Sequence, residues 1–134
     1  MAIKLSDVLR SKIVDSGVLG YLHGSARLDV YNGTAPATAE TATAGSSGTL
    51  LVSIGTAGIS WVAASNGTAG INGTFSGTAT ASGTAAWARL IAGTHCIQGA
   101  CGTESTSEFV IDTLIITSSN VVKTTSLDVI QSAG

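Results

Sequence analysis

Ala26-Arg27-Leu28-Asp29-Val30-Tyr31-Asn32-Gly33 is the stretch on which the fold reading turns. Apolar and polar residues alternate through it, so an extended chain places Ala26, Leu28 and Val30 on one face, the signature of a β-strand against a core. Asn-Gly then ends the run, because a tight hairpin turn needs residues that tolerate positive φ. Working outward, the same grammar repeats. Leu50 to Ile54 and Ile59 to Ala64 read as strands split by Gly55-Thr56-Ala57-Gly58. Ala85 to Ala92 reads as another, with Trp87, Arg89 and Ile91 on one face, and His95 to Gly99 follows after Gly93-Thr94. Glu108 to Ile111, Leu114 to Thr117 and Val121 to Ile130 are rich in β-branched residues and complete the set.

Between these runs lie two segments of different character. Residues 34–49 hold the chain's one proline, show no periodicity and read as a long surface loop. Residues 65–84 are punctuated by Asn66-Gly67, Asn72-Gly73, Ser76-Gly77 and Ser82-Gly83, each expected to turn the chain. Gly-Thr recurs along the molecule at irregular spacing, which excludes a solenoid. Short strands separated by turn signals, with no helical period between them, predict an all-β sandwich, jelly-roll-like, over residues 25–134 and exclude a parallel βαβ organisation.

The first residues differ. Ser6 is placed to cap a helix and Asp7 to complement its N-terminal dipole. Leu5, Val8, Leu9 and Ile13 then recur at helical spacing before Gly17. The spacing predicts a short amphipathic helix over 5–16 within an arm of residues 1–24. Its stripe either caps the β core or meets another subunit, and Leu5, Val8, Leu9 and Ile13 are the candidate partner-binding residues.

Composition sharpens the question of what that partner is. Charged residues make up only 10% of the 134-residue chain, six Lys/Arg against eight Asp/Glu, where a soluble domain carries about a quarter. A monomer stays dissolved largely by covering itself with ions. An exterior of Gly, Ala, Thr and Ser suits packing against other protein. A formal net charge of −2 with no cluster of Lys and Arg argues against nucleic-acid binding. No apolar stretch reaches the length of a membrane span, and the start lacks the apolar core of a secretory signal.

Catalytic chemistry finds few footholds, and an enzyme is not expected. His23 and His95 lie far apart in sequence. His95 and Cys96 are neighbours on a strand and so face opposite ways. Cys96, Cys101 and a histidine do not make the four-ligand spacing of structural zinc. The bland reading makes the two cysteines small core residues of a hairpin, open to a disulfide in an oxidising compartment. Carboxylate pairs can be drawn from Asp29, Glu40, Glu104, Glu108 and Asp112, but no motif fixes one. No cofactor or metal is called for. Asn32, Asn66 and Asn72 each begin Asn-Gly-Thr, formally a glycosylation acceptor, although the hairpin-turn reading takes precedence. Arg27 and Arg89 are expected at solvated positions on the outer face, with an intersubunit ion pair as the alternative.

The order of these pieces carries a resemblance. A short N-terminal helix leads to Ala26-Arg-Leu-Asp-Val-Tyr-Asn-Gly, an Ala-Pro-Ala-Thr-Ala loop and Gly48-Thr-Leu-Leu-Val. Ser82-Gly-Thr-Ala-Ala-Trp-Ala-Arg-Leu, Thr94-His-Cys-Ile-Gln-Gly-Ala and a β-branched C-terminal strand follow. From Leu5 to Ile130 this resembles small virion proteins of tailed bacteriophages and prophages, similar to head decoration (cement) proteins. The resemblance implies a β-sandwich or jelly roll. It also implies homo-oligomers on the surface of the virion capsid, assembled in the host cytoplasm, with the major capsid protein and sister copies as partners and no catalytic residues to carry over. The Gly/Thr/Ser/Ala stretch 65–84 departs from that pattern. Two other roles share the composition: a tail, collar or fibre component, and a carbohydrate or host-surface adhesin. The adhesin would need Trp61 and Trp87 exposed as a platform, whereas both are expected in the core.

Overall fold

The computed structural model describes residues 6–13, 15, 26–37, 48–93, 95–104, 109–124 and 127–130. Its one described α-helix is α1 (Asp7–Ile13). The strands are β1 (Arg27–Tyr31), β2 (Leu50–Ile54), β3 (Thr68–Gly70), β4 (Phe75–Thr78), β5 (Gly83–Thr84), β6 (Trp87–Ala92), β7 (His95–Gly102), β8 (Phe109–Val110), β9 (Ile115–Ile116), β10 (Val121–Thr124) and β11 (Asp128–Ile130). The protein is all-β and sandwich-like, built on a curled sheet, as the alternation and turn spacing predict.

The central sheet runs in the order β2-β1-β6-β7-β8. β1 pairs antiparallel with β2, Leu28 opposite Ile54 and Val30 opposite Val52, and with β6, Leu28 opposite Leu90 and Val30 opposite Ala88. β6 pairs antiparallel with β7, and β8 joins β7 in parallel at Cys101–Phe109 and Gly102–Val110. Beyond β2 the sheet curls. Gly55 donates its N–H to the Ser76 carbonyl at 3.2 Å, and Thr80 to that of Leu51 at 2.9 Å, handing β2 over to β4. β4 pairs with β10, and the Asp112 N–H donates to the Lys123 carbonyl at 3.0 Å just past β8. The described strands thus wrap around the core. Two small ribbons, β3 with β11 and β5 with β9, flank it.

Inside the curl, Leu28, Leu51, Val52, Ile54, Ile59, Leu90, Ile111 and Val122 are fully buried, with Trp61, Phe109, Ile116 and Leu127 around them. Each large aliphatic side chain taken from water contributes about 1.5–3 kcal/mol. Trp61 and Trp87 are buried as expected, 4% and 2% exposed, but only Trp61 is a core anchor; Trp87 lies on the other face of the sheet beside Tyr31 and Arg89.

Several local readings change. Ile59 to Ala64 is not a strand: it forms an isolated Trp61–Ile71 bridge and scattered backbone bonds, the Ile59 N–H to the Ala26 carbonyl at 2.9 Å and the Val62 N–H to the Gly70 carbonyl at 2.8 Å, in place of a continuous ladder. Residues 65–84 carry three short strands as well as turns. Asn66-Gly67 does form the expected two-residue hairpin, with φ of 53° and 78° and reciprocal Ser65–Thr68 hydrogen bonds at 2.9 and 3.0 Å. Ser76-Gly77 does not turn. Gly77 sits within β4 because a Cβ there would collide with the Ser53 carbonyl, so glycine serves the close approach of β4 to β2. Gly83 likewise starts β5, with Ser82 just before it. The expected single strand 121–130 is two, β10 and β11, which pair with β4 and β3 respectively.

Candidate interaction surfaces

The helical segment is tied to the body by Ser11 and Asp15. Ser6 Oγ accepts the Leu9 N–H at 3.3 Å, the cap expected from the sequence. Further along, Ser11 Oγ accepts the Gly67 N–H at 3.1 Å and Asp15 Oδ1 accepts the Ala64 N–H at 2.8 Å. Both donors belong to the 61–70 hairpin, and Ser11 and Asp15, four residues apart, share one helical face. Val8 is left 74% exposed, Leu9 49% and Ile13 37%. Of the two fates open to the stripe, these three side chains do not cap the core; Leu5 lies outside the described residues.

A soluble amphipathic helix buries its apolar stripe and wets its polar one. Here hydrogen bonds from a β-turn hold the polar face, and the apolar face is on offer. Val62, Leu50, Ile97, Ile115 and Val121 add further exposed apolar side chains on the β body. Leu50 and Val121 flank an open groove of about 490 Å³ whose other walls include Ser53, Thr56, Ser76 and Thr78, with no charged side chain in the lining.

The far face of the central sheet has the opposite character. Register places Ser53, Asp29, Arg89 and Gln98 in one row across β2, β1, β6 and β7. Asp29 and Arg89 are 3% and 5% exposed. Arg27 Nε donates to Asp29 Oδ1 at 3.1 Å, and Ser53 Oγ donates to the same oxygen at 2.7 Å. Arg89 Nε donates to Gln98 Oε1 at 2.9 Å, and Gln98 Nε2 to the Pro36 carbonyl at 2.9 Å, which ties the start of the 34–49 loop across the sheet. Tyr31 stacks on Trp87 at 4.3 Å, and the Arg89 guanidinium lies 5.6 Å from the Trp87 ring. The solvated position expected for Arg89 is therefore wrong. Its charge is buried within the chain, and only Arg27 keeps an exposed side chain, 48%, beside Asp29. Sequence alternation misses this because β1 and β6 are covered on both faces. The signal that could have found it is a charge of each sign, Asp29 and Arg89, inside predicted strands of an ion-poor chain.

Among the described residues, chemistry-bearing side chains do not converge. Among the described residues no three His, Cys, Asp or Glu side chains come together as a metal site would need. Cys96 and Cys101 lie on one strand, β7, not across a hairpin, so roughly 16 Å of extended chain separates them. Neither is in a disulfide. Cys101 packs against the core, and burial pushes its thiol up to about 12, so it stays protonated and unreactive. Asp112 Oδ1 accepts the Lys123 N–H at 3.1 Å, and Asp29 is held as above, so both carboxylates act as structural acceptors. Glu40 and Glu108 lie outside the described residues, as does His23. No protein-family model, curated protein or solved structure matches this chain.

Proposed function

We propose that this protein is a structural, non-enzymatic virion component of the head-decoration class, binding a phage capsid lattice as a homo-oligomeric cement. One observation carries the reading: α1 is fixed to the body by Ser11 and Asp15 while Val8, Leu9 and Ile13 face outward. Such a helix gains by meeting apolar protein, and a chain with 10% charged residues gives up the ionic coat that would keep it apart. On a lattice, each contact can be modest while the repeated array is strong, and binding the mature shell stabilises it by mass action. The major capsid protein and sister copies are the partners this reading names.

Replacing Val8 and Leu9 together by Asp tests it. Losing burial of two aliphatic side chains removes about 3 kcal/mol, roughly a hundredfold in affinity. Occupancy on purified heads, read by densitometry, should collapse while the sandwich stays folded. Full occupancy by the variant, or by a chain lacking residues 1–17, would end the proposal for the arm. A tail, collar or fibre position is the competing structural role, and the same count separates them: hundreds of copies per particle on the order expected for a lattice, against about a dozen at a symmetric portal or tail. The adhesin reading is disfavoured by the burial of Trp61 and Trp87, which denies it the platform it needs.

A further inference from the structure

Asn32-Gly33-Thr34, Asn66-Gly67-Thr68 and Asn72-Gly73-Thr74 are the same tripeptide in three settings. Asn-Gly is the most labile asparagine context in water, because glycine has no side chain to hinder its own amide nitrogen from attacking the preceding side chain. The fold treats the three copies differently. At Asn32 the side chain is clamped: Oδ1 accepts the Thr49 N–H at 2.6 Å, and the backbone is held by Thr49 and by Trp87 Nε1, which donates to the Asn32 carbonyl at 2.9 Å. At Asn66 the attacking group is clamped instead. Gly67 is buried, its N–H donates to Ser11 Oγ, and both residues are locked at positive φ in the hairpin turn. Asn72 and Gly73 are both exposed. Open space surrounds the position a Gly73 Cβ would take, and only the Asn72 backbone is held, its N–H donating to the Ser60 carbonyl at 2.8 Å. Among the described residues nothing engages the Asn72 side chain or the Gly73 amide.

We infer that Asn72 is a site of spontaneous covalent modification, deamidating through a cyclic imide while Asn32 and Asn66 are protected by the fold. Hydroxide takes the Gly73 amide proton, and the nitrogen attacks Cγ of Asn72. The new C–N bond forms as the bond to the side-chain amide nitrogen breaks; that nitrogen takes a proton from water, so ammonia leaves and hydroxide is regenerated. Water then opens the imide at either carbonyl, leaving aspartate or isoaspartate. Each event makes the formal net charge, −2 in the unmodified chain, one unit more negative. It does so at an exposed turn between β3 and β4, where a backbone change is tolerated.

Incubating the folded full-length protein in mildly alkaline buffer, with peptide mass spectrometry and enzymatic methylation of isoaspartate as the readouts, tests this. Asn72 should convert at least about tenfold faster than either other site, the factor that about 1.4 kcal/mol of barrier gives. In concentrated urea the three identical tripeptides should converge, and Asn72→Gln should abolish the fast phase of the folded protein. Equal rates in the folded protein, a lead for Asn32 or Asn66, or an Asn72 lead that persists unchanged in urea would each overturn the inference. None of these outcomes depends on whether the protein sits on a virion.

Discussion

The β1–β6 ribbon and helix α1 handle polarity in opposite ways. The ribbon draws Asp29 and Arg89 almost wholly out of water, beside apolar Tyr31 and Trp87. The helix ties down hydroxyl and carboxylate groups and leaves Val8 and Leu9 in solvent. In the ribbon each buried polar group has hydrogen-bond partners of its own chain, Asp29 with Arg27 and Ser53 and Arg89 with Gln98. The helix's apolar side chains have no such intramolecular answer. One region is satisfied within the chain, and the other leaves Val8 and Leu9 uncovered.

Substitutions can break that comparison, starting where the cost is largest. Arg27→Ala leaves the buried Asp29 carboxylate without its cation and should lower unfolding free energy in urea by about 3 kcal/mol, whereas Asp29→Ala leaves a half-exposed guanidinium and the Ser53 hydroxyl unpartnered and should cost about 2 kcal/mol. A silent Asp29→Ala would mean that the polar row does not hold the sheet. Gly77→Ala forces a methyl against the Ser53 carbonyl and should cost about 2 kcal/mol, visible as a lower thermal midpoint. Alkali supplies a third probe. The folded Cys101 thiol ionises near 12 against 9.0 for the free group, so above pH 9.0 the unfolded chain binds fewer protons than the native one. Stability should hold below that pH and fall progressively as pH rises towards 12, and Cys101→Ala should flatten the fall. Smallest of all, Val8→Asp with Leu9→Asp should move stability by no more than about 0.5 kcal/mol, measured by urea titration. A large loss there would show the stripe serving the protein's own interior.

Local pattern carried much of the fold. β2 lies at the bounds that Leu50 to Ile54 suggest, and Trp87, Arg89 and Ile91 do share a face. Turn chemistry was legible where two residues of positive φ were needed, at Asn66-Gly67. It misled at Gly77 and Gly83, since glycine permits a close approach as readily as a bend, and only the partner strand decides which. Burial of Asp29 and Arg89 was hidden for a related reason: alternation reports which side chains share a face, not whether that face is covered. The helix and its stripe were readable from spacing, but its orientation was not. That depends on two side-chain bonds to a hairpin some fifty residues away in sequence, Asp15 to Ala64 and Ser11 to Gly67.

Pairing of β10 with β4 and of β11 with β3 has a consequence for biosynthesis. Phe109, Ile111, Ile116, Val122 and Leu127 all belong to the closing wall of the interior. A nascent polypeptide still short of them on the ribosome can form the β1–β2 and β6–β7 hairpin contacts, yet its aliphatic interior has no far side. Closure of the core thus waits until these residues have emerged, and such long-range closure is slow. In that interval the emerging chain is most exposed to proteases and in greatest need of a chaperone.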